Sequence, residues 1–235
     1  MTDRPTPSRE ALERHAQWNE DMARRYDPDA FITRSGPLIR WIEGLRLERT
    51  RKALACGPSH DVLDLGCGPG NLLERLSGRR VVGVDLSETL LKQARARVAG
   101  RTGFEFQLAP AEVLPFPAAS FDRVVCSEVL EHVIEPAAVI AEIRRVARPG
   151  ARIVLTLPNE ALINATKRVV VALGLKGWVA GEYPMSDQML EEWHRNELGA
   201  DEILALCAEC FRPAGAWDIP FPGLAYHRVL ALDAV

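Results

Sequence analysis

The stretch "VLDLGCGPGNLLERL", Val62 to Leu76, sets an apolar run directly before Gly66, Gly68 and Gly70 and an amphipathic segment directly after them. That order predicts a strand, a tight turn and a helix. Glycines let the backbone turn sharply and approach a ligand with no Cβ in the way. The N–H groups at the start of the following helix can face a polar or anionic group. A second strand, "VVGVD", ends at Asp85, 21 residues after Asp64. A carboxylate there can accept hydrogen bonds from both hydroxyls of an adenosine ribose. The turn is GxGxG, and Asn71 stands where GxGxxG would require its third glycine, which disfavours a dinucleotide dehydrogenase.

Outward from this turn the pattern repeats. Short β-branched runs ("DVLDL", "RVVGVDL", "FEFQL", "DRVVCS", "ARIVLTL") alternate with amphipathic segments such as "SETLLKQARARV" and "PAAVIAEIRRVA". Strict alternation argues for an α/β fold with βαβ units and a mostly parallel sheet carrying helices on both faces. Ser87 is placed to cap the helix running to Val98, and Pro136 fits the first turn of another. Residues 1–58 read as an N-terminal helical extension or cap broken at Pro28 and Pro37, whose helices, including Trp18 and Tyr26, could close over the site, and residues 59–235 as the ligand-binding domain. Within that domain, 160–190 reads as a lid-like insertion, rich in Val169, Val170, Leu173 and Leu175. It is either an ordinary buried helix or a surface that touches a greasy substrate or, peripherally, a membrane. "FRPAGAWDI" and "AYHRVLALDAV" suggest an antiparallel hairpin joined through "PFPG".

Composition narrows the function classes. The chain has 235 residues, 47% hydrophobic and 26% charged, with a formal charge of -3 and a pI near 6.0. No strongly basic groove for nucleic acid is expected. The absence of a long apolar run or an apolar leader points to a cytoplasmic protein without a transmembrane segment. Five cysteines suggest no disulfide framework, and Cys207 and Cys210 read as buried helical thiols. Oligomeric state is not legible in the sequence.

"VCSEVLEHV", Val125 to Val133, follows the fourth strand-like run and holds Glu128, Glu131 and His132. At the carboxyl end of a parallel strand it lies where open α/β sheets bind ligands. Were it helical, these three side chains would share a face and could hold Mg2+ or Mn2+. A metal-free active-site edge, with Glu131 or His132 as general base, and simple helix-start capping are the competing readings.

Together "VLDLGCGPG", "VVGVDLSETLLKQA", "LPFPAASFDRVVCSEVLEHV" and "RRVARPGARIVLTLPN" resemble the class I S-adenosylmethionine-dependent methyltransferases, from about Asp61 to Asn159. The resemblance implies a Rossmann-like seven-stranded sheet with an antiparallel last strand. It implies S-adenosylmethionine as cofactor, with Asp64, Gly66, Gly68 and Gly70 around its methionine part, Asp85 on the ribose and Leu86 against the adenine. Ala111 and Glu112 fall at the family's acidic turn near the adenine, where Pro110 replaces the usual Asp. Ser127 falls beneath the donor methionine. The pattern E-x-x-E-H resembles ubiquinone-biosynthesis O-methyltransferases and the enzymes that methylate a terminal RNA ribose. By that likeness Glu128, Glu131 and His132, with His194, are the candidate ligands of a divalent metal. Arg34 and Arg40 resemble a basic element that reaches the cofactor carboxylate. The expected acceptor is a small, partly apolar molecule methylated on a hydroxyl, with His132 and Glu131 as catalytic candidates. An RNA or protein methyltransferase and a non-catalytic cofactor-binding protein are the alternatives.

Overall fold

A computed structural model of the chain describes residues 6–175, 179, 181–183, 195–196 and 199–235. Three helices come first: α1 (Arg9–Arg25), α2 (Pro28–Arg34) and α3 (Pro37–Leu54). Their boundaries have local causes. The Ser8 side chain accepts from Ala11 N, Asp27 accepts from Asp29 N and Ala30 N, and prolines open α2 and α3.

The alternating part follows as β1 (Asp61–Leu65), β2 (Arg80–Asp85), α4 (Glu88–Arg97), β3 (Phe104–Leu108), β4 (Phe121–Ser127), α5 (Pro136–Val146), β5 (Ala147–Pro158) and α6 (Glu160–Ala172). After it come α7 (Ala200–Cys207), β6 (Phe211–Phe221) and β7 (Leu224–Ala234). The strands form one sheet in the order β3-β2-β1-β4-β5-β7-β6. Pairing is parallel from β3 through β5, while β7 is antiparallel to both β5 and β6.

Because both faces of the parallel strands are covered, β1 is buried along its whole length, as its unbroken apolar run anticipated. One face packs Leu63, Leu65 and Val124 against Ile140 and Ile143 of α5 and Ile203 of α7. The other packs Val62, Val81 and Val154 against Leu47 and Leu54 of α3 and Leu91 of α4. Thus α3, part of the expected N-terminal extension, is built into the sheet's own core. Each leucine fully withdrawn from water stabilises the fold by roughly 1.5–3 kcal/mol.

One local expectation fails, and one left open is decided. "NLLERL" makes only a 3₁₀ turn at Leu73–Arg75, and Leu76 is already extended. Leu72, Leu73 and Leu76 are all buried, so the segment is drawn flat onto the sheet, and β2 begins only four residues later, leaving no length for a helix. The segment Glu128–Ile134 is a turn rather than a helix, entered through a left-handed Glu128 at φ 56. α6 has no buried residue, and Val169, Val171 and Leu173 are exposed, unlike an ordinary core helix. No helix among the described residues is long and apolar enough to cross a membrane.

Candidate active site

The carboxyl ends of β1, β2 and β4 open onto a cavity of about 180 Å3. Gly66 and Gly68 line it through the turn after β1, both at positive φ (71° and 52°). A Cβ on Gly66 would stand 2.3 Å from Val129 Cγ2, whereas one on Gly68 meets nothing within 4 Å. The first glycine therefore permits close packing, and the second leaves the cavity open.

Asp85, at the end of β2, ties the turn together. Its Oδ2 accepts from Gly68 N at 2.8 Å and its Oδ1 from Ser87 N at 2.9 Å. An ionised carboxylate oxygen can accept more than one hydrogen bond, so both retain capacity toward a ligand. Burial raises the Asp85 pKa against the lowering effect of the Ser87 and Gly68 N–H groups. Asp64 stands behind it, buried, with Oδ2 lacking a hydrogen-bond partner among the described residues. Burial first, and then the Asp85 charge, push its pKa up to about 7.

Leu86, Ala111 and Glu112 line the same space. Glu112 also fastens the turn after β4, since its Oε1 accepts from Ile134 N at 2.9 Å. His132 lines the cavity from that turn, its backbone N–H donating to Val129 O at 2.9 Å. Glu131 lies behind His132, its Oε1 4.0 Å from His132 Nε2 and its buried Oε2 without a partner among the described residues. Burial and then the neighbouring Glu128 charge raise the Glu131 pKa far above the usual carboxylate range. Gly70, Asp64, Ser127 and Glu131 are outside the cavity lining, as are the exposed Arg34 and Arg40.

The metal reading meets a structural obstacle. Glu128 Oε1 accepts from Thr156 Oγ1 at 2.7 Å, and Oε2 lies 2.9 Å from His227 Nδ1. Both oxygens are thus engaged within the protein. The segment is also not the helix whose spacing would put the three side chains on one face. Among the described residues no group of three or more His, Cys, Asp or Glu side chains is arranged to hold a metal ion, and His194 lies outside those residues.

Several participants escaped the sequence reading. His15 and Asn19 of α1 line the cavity, so the N-terminal helix forms its lid. Glu20 fastens that lid, accepting from Ser87 Oγ at 2.6 Å and from the Thr89 hydroxyl. Burial opposes ionisation of Glu20, yet the bonds from Ser87 and Thr89 bring its pKa down to about 2. A second clasp joins Asp29 of α2 to Arg97, whose Nε donates to Pro69 O at 2.9 Å. The sequence reading gave the closing role to the N-terminal helices through Trp18 and Tyr26, whereas the residues of α1 that line the cavity are His15 and Asn19, whose target no spacing reveals.

Residues 63–155 match the family model described as a methyltransferase domain. A ubiquinone biosynthesis O-methyltransferase of Thiobacillus denitrificans is 35% identical over 170 residues, covering 68% of this chain and 67% of that protein. The chain belongs to the class I S-adenosylmethionine-dependent methyltransferases. A demethylmenaquinone methyltransferase of Clavibacter sepedonicus is 42% identical over 108 residues, 45% of this chain and 44% of the relative. The chain spans from about a third to two thirds of the length of the curated relatives it matches. Among solved structures, the N-methyltransferase NodS of Bradyrhizobium japonicum in complex with S-adenosyl-L-homocysteine matches with a TM-score of 0.60 at 18% identity, covering 96% of this chain and 97% of that one. At that identity the likeness concerns the methyltransferase fold alone. The seven-stranded sheet with its reversed β7 is that expected from the four sequence motifs.

Proposed function

We propose that this methyltransferase carries the methyl group of S-adenosylmethionine to a hydroxyl of a small, partly apolar acceptor, in the range of quinone precursors, lipids and secondary metabolites. The observation that carries the reading is that Asp85 and His132 line one cavity. An acid suited to ribose hydroxyls and an imidazole suited to an acceptor proton share a single space. The names of the curated relatives support oxygen as the acceptor atom for several of them, though one acts on demethylmenaquinone.

The described residues fit the cofactor. Asp85 would take the ribose hydroxyls, Leu86 and Ala111 would flank the adenine, and the open face of Gly68 would admit the methionine portion. S-adenosylmethionine supplies an electrophilic methyl on a sulfonium. The protein's part is to position the acceptor oxygen about 3–3.5 Å from that methyl and keep water out. His132 would take the acceptor's proton as the O–C bond forms and the methyl's bond to sulfur breaks, with S-adenosylhomocysteine leaving as the thioether. Glu131, whose pKa burial and the Glu128 charge raise, stands behind His132 with Oε1 4.0 Å from its Nε2. With Glu128 engaged by Thr156 and His227, no step is assigned to a metal.

Calorimetry tests the cofactor first. Wild-type protein should bind S-adenosylmethionine, and Asp85→Ala should lose about tenfold to a hundredfold in affinity, the range for hydrogen bonds to a charged group. No binding by wild type would overturn the assignment. A screen of phenols, quinone precursors and lipids then identifies the acceptor by its methylated product. His132→Ala should lower its turnover by about 10²–10⁴-fold. Turnover that survives EDTA fits this reading, whereas activity lost to EDTA and restored by Mg2+ or Mn2+ would return Glu128, Glu131 and His132 to a ligand role.

A further inference from the structure

A closed ring of hydrogen bonds that the methyl-transfer reading does not use adjoins the cavity, which one of its members, Glu128, lines. Arg46 Nη1 donates to Ser127 Oγ at 2.7 Å, and Ser127 Oγ lies 2.9 Å from Thr156 Oγ1. Thr156 donates to Glu128 Oε1, and Glu128 Oε2 meets His227 Nδ1. His227 Nε2 lies 3.1 Å from Glu43 Oε1. Glu43 Oε2 accepts from Arg46 Nε at 3.0 Å and Nη2 at 2.6 Å, which closes the circuit. The members come from α3, the end of β4, β5 and β7.

The direction of every proton is fixed. A guanidinium only donates and an ionised carboxylate only accepts. With the Thr156 proton given to Glu128, the Ser127 hydroxyl must donate to Thr156 while accepting from Arg46. Both nitrogens of His227 face carboxylate oxygens, so both carry protons. Two cations, Arg46 and His227, thereby balance two anions, Glu43 and Glu128, in a site where Glu43, Arg46 and His227 are buried and Glu128 is partly so. Burial disfavours the charged imidazole, but the Glu128 and Glu43 charges raise its pKa to about 9. A buried ionic arrangement of this kind gives little net stability against apolar packing, and its best-attested use is to select one conformation.

The conformation selected here is a strained one. Glu128 is a non-glycine residue at φ 56, and the turn it starts carries His132 to the cavity. We propose that Glu43, Arg46 and His227 are positioning residues for methyl transfer: through the ring they hold Glu128 in its left-handed conformation and so aim His132 at the cofactor cavity. The role rests on the methyl-transfer reading above. It also assigns to the ring Glu128, both of whose carboxylate oxygens are engaged there.

The test uses the full chain labelled with [13Cε1]histidine, with the His132 signal assigned by its loss in His132→Asn. Binding of S-adenosylhomocysteine to wild type is measured first, and its absence overturns the cofactor reading and this role with it. Given binding, His227→Gln should move and broaden the His132 signal in the complex. Affinity for S-adenosylhomocysteine should stay within about threefold, because the Asp85 end of the cavity shares no partner with the ring. Thr156→Val is the milder variant should His227→Gln fail to fold. It breaks the link to Glu128 with little change of shape and should move the His132 signal in the same direction, while Thr156→Ser, which keeps the hydroxyl, restores the wild-type position. A folded Thr156→Val with an unmoved His132 signal overturns the proposal while leaving the cofactor reading intact.

Discussion

Gly66 and Gly68 stand two residues apart in the same turn, yet substitution should separate their roles. An alanine methyl at Gly66 would drive into Val129 at 2.3 Å with the backbone at φ 71. Gly66→Ala should therefore lose about 1–3 kcal/mol of stability from overpacking, with roughly 1–2 kcal/mol more for the left-handed backbone, readable by urea unfolding. At Gly68 no atom lies within 4 Å, so only the backbone contribution applies to stability. Its methyl would occupy cavity space instead, and calorimetry on Gly68→Ala should show weakened S-adenosylhomocysteine binding with a small change in unfolding. Sequence alone marked both glycines, because a GxGxG after a strand has a backbone reason. It could not tell them apart, since the distinction lies in Val129, more than sixty residues away.

At the scale of elements, α1 is a lid whose closure should depend on pH. Burial first, then the nearby Arg195 and His132 charges, lower the His15 pKa from 6.5 to about 4. The folded state thus binds this proton less readily than the unfolded state. The stabilisation is present above about pH 6.5 and declines as pH falls through about 4. Glu20, whose pKa of about 2 lies below its ordinary 4.5, adds its own loss only below about pH 4.5. Hydrogen exchange of the α1 amides should therefore quicken between pH 6.5 and 4 relative to those of α4, and His15→Phe should flatten that response. At constant pH, Glu20→Ala should raise the dissociation rate of S-adenosylhomocysteine by stopped flow, because it removes the bonds to Ser87 and Thr89. The elements were legible wherever a local signal decided them. Ser87 caps α4 through Leu90 N as expected, and Pro136 opens α5. "NLLERL" falls short of the helix its pattern predicts because every one of its leucines is buried against the sheet, and "SEVLEHV", for which helix was one open reading, is held as a turn by the bonds of Glu128 to Thr156 and His227.

On the scale of the whole molecule, α3 is inseparable from the sheet while α1 and α2 lie over it. A chain beginning at Gly36 should still unfold cooperatively, with cofactor affinity lost. One beginning at residue 59 should not, because it forfeits the buried Leu47 and Leu54, each contributing roughly 1.5–3 kcal/mol, as well as Glu43 and Arg46. Circular dichroism melts of the two truncations check this. The sequence by itself determined the parallel α/β core, the glycine turn and the acid at Asp85, since each follows from residues close in the chain whose periodicity or spacing has a direct backbone cause. Only the tertiary structure decided what faces the turn after β4. Because β7 runs antiparallel, its early residue His227 reaches the carboxyl end of β5, opposite Pro158 and beside Glu128. A buried charge finds its partner through such long-range pairing, and no local pattern in "AYHRVL" or "IEGLR" records it.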